Sequence, residues 1–229
     1  IRIFPKYDEP EVLKVGNPTL RPQFTDRIEM GYKLSWKTGN LYSALYHLAT
    51  DATITRIGTI VPGKSTIYNI FQNAGKSANT GTEITFQQEL SQWVSFNTSA
   101  ALYRNSFEAF TIENKYPVTT VYTMNAQQIT SGNAKLNGMF KLPKQTDIQL
   151  SAIYLAPDLI PQGRIDSRFS LDLGAKKQIQ KGQGELFMNA SDLLNTMQVK
   201  REIIGNGFRL NSTDYYETQV IRLGYSYKF

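Results

Sequence analysis

Few residues in this chain could do acid–base, nucleophilic or metal chemistry. Its 229 residues include no cysteine and a single histidine, His47. The missing cysteine removes thiolate nucleophiles, thiolate zinc sites and disulfide frameworks together. A lone histidine leaves no partner for a His-based metal cluster or a Ser-His-Asp relay. Five carboxylates, Asp158, Asp166, Asp192, Asp214 and Glu217, fall in stretches without strand periodicity. They lack the dense Asp-x-Asn-x-Asp spacing that wraps calcium. Gly75-Lys76-Ser77 is only the tail of a phosphate-binding loop, since the first glycine of that motif would fall at Ile70. The stretch 73–81 reads instead as a flexible approach to the next strand. These residues support no enzyme, no metal and no cofactor.

Aromatic chemistry is richer, with 13 Tyr and 12 Phe. Tyr68, Phe71, Phe107, Phe110, Tyr116, Tyr122, Tyr215 and Tyr216 fall in long connecting segments. There they could stack on a sugar or wrap a peptide, or pack the segments onto one another. The net charge of +6 is spread over 25 basic residues, with no run longer than Lys176-Lys177. Nucleic-acid binders concentrate such charge on one face or stripe, so no nucleic-acid partner is expected.

The elements that carry these residues have period two. Ile221, Leu223, Tyr225, Tyr227 and Phe229 fall on one face of the last segment, opposite Val220, Arg222, Gly224, Ser226 and Lys228. Ile28, Met30, Tyr32, Leu34 and Trp36 likewise oppose Arg27, Glu29, Gly31, Lys33 and Ser35. Weaker versions cover 41–49, 82–90, 94–104, 133–142, 148–154, 168–176 and 185–190. The total is about nine strands of bilayer-crossing length, while no run of roughly 18 apolar residues could form a membrane helix.

The links sort by length. Those at 37–40, 91–93, 143–146 and 180–183 are short; those at 51–81, 105–132, 157–166 and 191–218 are long. Strict alternation of short and long links is expected of an outer-membrane barrel with short periplasmic turns and long extracellular loops. A soluble sandwich has no reason to sort its loops by end. The predicted fold is therefore all-β, an antiparallel transmembrane β-barrel portion whose apolar face meets outer-membrane lipid. Arg27, Glu29, Lys33, Arg168, Asp172, Lys176 and Arg222 would line the lumen, and His47, beside Ser43, is assigned to that lining too. Trp36 and Trp93, next to short turns, suit a periplasmic aromatic girdle.

Three stretches give the sequence a family likeness. They are Gly16-Asn17-Pro18-Thr19-Leu20-Arg21-Pro22-Gln23 followed by Glu29-Met30-Gly31-Tyr32; Leu171-Asp172-Leu173-Gly174 followed by Asn189-Ala190-Ser191-Asp192-Leu193-Leu194-Asn195-Thr196; and Arg222-Leu223-Gly224-Tyr225-Ser226-Tyr227-Lys228-Phe229. Together they resemble the C-terminal barrel of TonB-dependent outer-membrane receptors of the Bacteroidota type. Gln23 stands where that pattern often has Glu, and Leu194 where it has Phe.

The resemblance implies part of an importer of a scarce solute in the bacterial outer membrane. Tyr225, Tyr227 and Phe229 would be the signal read by the barrel-assembly machinery. Family barrels have about 22 strands around a plugged lumen. Residues 1–229 are thus expected to be a C-terminal segment, consistent with an opening Ile1-Arg2-Ile3-Phe4 that has no leader. Residues 25–36 and 219–229 would pair with strands from elsewhere in the same protein. The implied partners are those strands, the plug, and a TonB-like energy-coupling protein acting through the plug; a surface lipoprotein on the loops is left open. The rival reading is a passive or structural barrel, such as a porin, adhesin or secretion-complex component.

Overall fold

The computed structural model describes residues 6–9, 12–61 and 63–229; Ile1-Arg2-Ile3-Phe4 lies outside them. In chain order the strands begin with β1 (Lys6–Glu9), β2 (Val12–Val15), β3 (Phe24–Trp36), β4 (Gly39–Asp51), β5 (Ile54–Ile60) and β6 (Ile67–Asn73). They continue with β7 (Ser77–Ser91), β8 (Val94–Phe107), β9 (Phe110–Asn114), β10 (Thr120–Met124), β11 (Gln127–Leu142) and β12 (Thr146–Leu155). The last are β13 (Asp158–Ile160), β14 (Gly163–Ile165), β15 (Arg168–Ile179), β16 (Gly184–Ser191), β17 (Val199–Gly205), β18 (Phe208–Asp214) and β19 (Val220–Tyr227). One 3-10 turn, Gln180–Gly182, is the sole helical segment among the described residues.

Nine strands form one antiparallel wall in the order β3-β4-β7-β8-β11-β12-β15-β16-β19. Short turns join β3 to β4, β7 to β8, β11 to β12 and β15 to β16, all at one end of the wall. Positive φ at Lys144 and Gln145, and at Gln180, Lys181 and Gly182, makes two of these turns tight. Every long link lies at the other end. The sheet is open: β3 and β19 each have a wall neighbour on one side only. These edges are the two segments expected to meet other strands.

Directly opposed residues in an antiparallel pair share a face, so the register carries one face across the whole wall. Ile28, His47, Thr80, Arg104 and Thr130 make one such row; Met30, Leu45, Thr82, Leu102 and Gly132 make the next. This outward face is apolar and open, with Ile28 73% exposed and Leu223 77% exposed. At about 3.4 Å per residue, Ile28 to Trp36 spans roughly 27 Å, close to the ~25 Å apolar band of a membrane barrel.

The register corrects the side given to His47. It opposes Ile28 and faces outward with Leu45, not into the lumen. Both faces of β4 carry apolar residues, so alternation alone could not choose between them. The register with β3 does. The flexible approach read at 73–81 is corrected as well, because β7 already begins at Ser77.

Candidate functional site

Each long link folds back on itself at the loop end of the wall. β5 pairs with β6, β9 with β10, β13 with β14, and β17 with β18; β2 adds to β6 in parallel, and β14 pairs with β17. The first recognised motif anchors this region. The Asn17 side chain donates to the Phe71 carbonyl at 2.8 Å and accepts from the Thr19 amide at 2.9 Å. Gln23 accepts from the Ile54 amide at 2.7 Å.

The loop hairpins are then tied to one another. The Gln162 side chain, in the β13–β14 turn, bonds both main-chain groups of Gly58 on β5. Asn206, in the β17–β18 turn, donates to the Val121 carbonyl at 2.8 Å. Ile57, Ala74, Phe110, Tyr122 and Met124 form a buried cluster, with Phe107 and Ile112 packed against it. Burying an Ile or Phe side chain fully contributes about 1.5–3 kcal/mol, so this cluster is a small core of its own.

The loop aromatics divide between packing and exposure. Tyr68, Phe110 and Tyr122 are buried, and Phe107 leans on the cluster. Burial pushes the Tyr122 hydroxyl above its ordinary range, against a lowering bond with Gln162. Tyr68 meets Tyr116 edge-on at 6.1 Å, and Phe71 lies under the Arg56 guanidinium at 4.7 Å. Tyr116, Tyr215 and Tyr216 are exposed. On β19, the Tyr225 and Tyr227 hydroxyls donate to Gln180 at 2.7 Å and Gln183 at 3.2 Å. The Phe229 ring stands 5.4 Å from that of Tyr227.

Between β10, the β13–β14 turn and β17 lies a cleft of about 370 Å³. Met124, Leu159 and Ile204 give it apolar surface; Asn125, Gln127, Gln162, Arg164 and Glu202 give it polar groups. Glu202 sits between Arg164 at 3.4 Å and Arg209 at 3.3 Å, so the charge there is largely balanced. Amides, one tyrosine and a paired guanidinium suit a polar solute more than a strongly charged ion.

The seven charged residues expected to line the lumen share the inward face. Glu29 holds Arg27 in an ion pair and accepts from the Tyr42 hydroxyl at 2.8 Å. Lys176 meets Asp147 across the β12–β15 ladder at 3.4 Å. Near the loop end, Tyr103 and Asn105 donate to the two carboxylate oxygens of Asp158 at 2.8 and 2.9 Å. This ties β13 to the inner wall.

The loop carboxylates do not converge. Asp158 is held by the wall, Asp214 by Arg201, and Asp166 lies 4.0 Å from Arg164. Asp192 is 2% exposed and accepts from the Thr196 and Met197 amides and the Thr218 hydroxyl at 3.0, 3.1 and 2.6 Å. Its own amide donates to Asp172 at 2.8 Å, which joins the two halves of the second motif. Burial alone would raise its carboxyl, but the Thr218, Thr196 and Met197 donors hold it below the ordinary range.

Sequence reasoning missed the Gln162, Asn206 and Asp158 ties. Each joins residues 53 to 104 positions apart, and no periodicity marks it.

In sequence comparison, the model of a family described as the outer membrane protein beta-barrel family matches residues 1–227. No curated protein matches the chain.

Proposed function

Because this chain belongs to the outer membrane protein beta-barrel family, and so to the bacterial outer membrane, we propose that it is the C-terminal wall of a TonB-dependent receptor importing a scarce solute. The observation that carries this reading is the open sheet. In hydrocarbon, the unpaired main chain at the edges of β3 and β19 has no water to bond. On this reading further strands of the same protein complete the barrel, in a larger, plugged receptor.

The inner face supports the same reading. Its charges are mixed and partly paired, which suits contact with a plug better than a filter for one sign of ion. On this reading the exposed loop aromatics and the 370 Å³ cleft make the first capture. A TonB-like protein would release the plug from the periplasm, and a surface lipoprotein resting on the loops would be a further partner.

The test follows uptake of labelled siderophores, oligosaccharides, peptides and cobalamin by cells with and without the full-length protein. The importer reading expects protein-dependent uptake of one class that stops when the proton gradient is collapsed. Uptake indifferent to the gradient would point instead to a passive barrel.

A further inference from the structure

A broad concavity lies on the outward face of the wall, away from the lumen and cleft. It is about 620 Å³ and sits where β3, β4, β7 and β8 lie side by side. It forms where β7 presents only the short Thr80 and Thr82 to this face, between the taller Leu45 and Leu102. The result is a trough open to the lipid.

Its loop-side end is polar. His47, Thr80, Arg104 and Thr130 stand in one row, immediately beyond the apolar row of Met30, Leu45, Thr82 and Leu102. This row begins at Ile28, the loop-side limit of the ~27 Å apolar span, which places it at the lipid headgroups. Arg104 is the one Lys or Arg at this end of the outward face among the described wall strands; Lys177 is at the opposite end. Its side-chain partner is the neutral Gln128, and no carboxylate pairs with it among the described residues. Asp51 and Asp26, on the same face, stand two and three strands across and four and two positions further toward the loops, roughly 17 and 16 Å away at 4.8 Å per strand and 3.4 Å per residue. His47 bonds Thr80 through Nδ1 at 2.7 Å, which leaves Nε2 for another partner.

We propose that this trough holds one phosphorylated acyl lipid of the outer leaflet, with a chain along the Leu45–Leu102 trough and its phosphate on Arg104 and His47. An uncompensated guanidinium at the headgroup level needs an anion. Arg matches phosphate with paired donors, and the trough below supplies the apolar half of the match. Lipid A phosphate is that anion in the outer leaflet.

The test uses the full-length protein in detergent, with bound lipid counted by native mass spectrometry. Bisphosphorylated lipid A, its dephosphorylated form and inorganic phosphate are the probes. Wild type is expected to bind lipid A about tenfold tighter than the dephosphorylated form. Arg104→Gln should remove that preference, Arg104→Lys should keep part of it, and inorganic phosphate should not displace the lipid. Equal binding of the two lipids by wild type overturns the proposal without any mutant, so a folding defect in Arg104→Gln cannot shield it. An undiminished preference in folded Arg104→Gln, or displacement by inorganic phosphate alone, overturns it too.

Discussion

The Gln162 carboxamide reads the main chain of Gly58 in both directions, accepting from its amide at 2.6 Å and donating to its carbonyl at 3.0 Å. Gln162 is 4% exposed, so neither bond has water as a ready substitute. One side chain thus makes the β5–β6 and β13–β14 loops a single unit over the wall.

Gln162→Ala removes both bonds and leaves two main-chain groups of Gly58 unpaired in a buried site. The expected cost to the loop assembly is about 1–3 kcal/mol. Hydrogen exchange should quicken at 54–60 and 158–165 while β8 and β11 keep their protection. Unchanged exchange at Gly58 would remove Gln162 from this role.

Gly163→Ala should be harsher. Gly163 has φ +152°, and an added Cβ would lie 1.9 Å from the Glu202 carbonyl oxygen, so β14 and β17 could not stay paired. Gly63, at φ +80° with nothing within 4 Å, serves as the control; alanine there should cost only about 1 kcal/mol of backbone strain. Thermal unfolding in detergent and exchange at 199–205 separate the two.

Asp192 predicts a pH response of definite sign. Its folded-state carboxyl is held low, so the carboxylate stabilises its turn above the unfolded value near 3.9. That stability is lost as pH falls from about 4 through the lower folded value. Limited proteolysis at 192–197 should accelerate over that acid window. Asp192→Asn should be cut faster at neutral pH and show no such acid step.

Leu223→Arg tests which face meets lipid. Leu223 is outward and 77% exposed, and arginine within the hydrocarbon of a barrel costs about 2–4 kcal/mol. Ser226→Arg, on the inward face of the same strand, should cost far less. The amount of heat-modifiable protein in outer-membrane fractions reads both, and equal losses would contradict the assignment of faces.

The wall was legible because one rule, apolar residues at every second position, holds from Ile28 to Trp36 and again from Ile221 to Phe229. Strand ends were less so. β7 starts at Ser77 and β11 at Gln127, in small or polar residues such as Ala78, Asn79 and Ser131 that lie under the loops and need no apolar face. On β4 the pattern is apolar on both sides, and only pairing with Ile28 puts His47 outside. The loop strands are three to seven residues long, too short for periodicity, and their packing rests on a small apolar cluster and on polar contacts between distant segments. Two of the three recognised motifs are local anchors: Asn17 ties the chain to β6, and Asp172 meets Asp192. They mark a barrel and its joints more than any ligand.

The pairing order of the wall also separates near contacts from far ones. Each wall strand lies beside its predecessor in the wall, so this part can lengthen one strand at a time, with loop closures of at most a few tens of residues. The bond between Gly58 and Gln162 closes 104 residues at once. It needs both the β5–β6 and the β13–β14 hairpins in place. That contact therefore depends on the five wall strands β4, β7, β8, β11 and β12 that flank or separate its two partners in the chain.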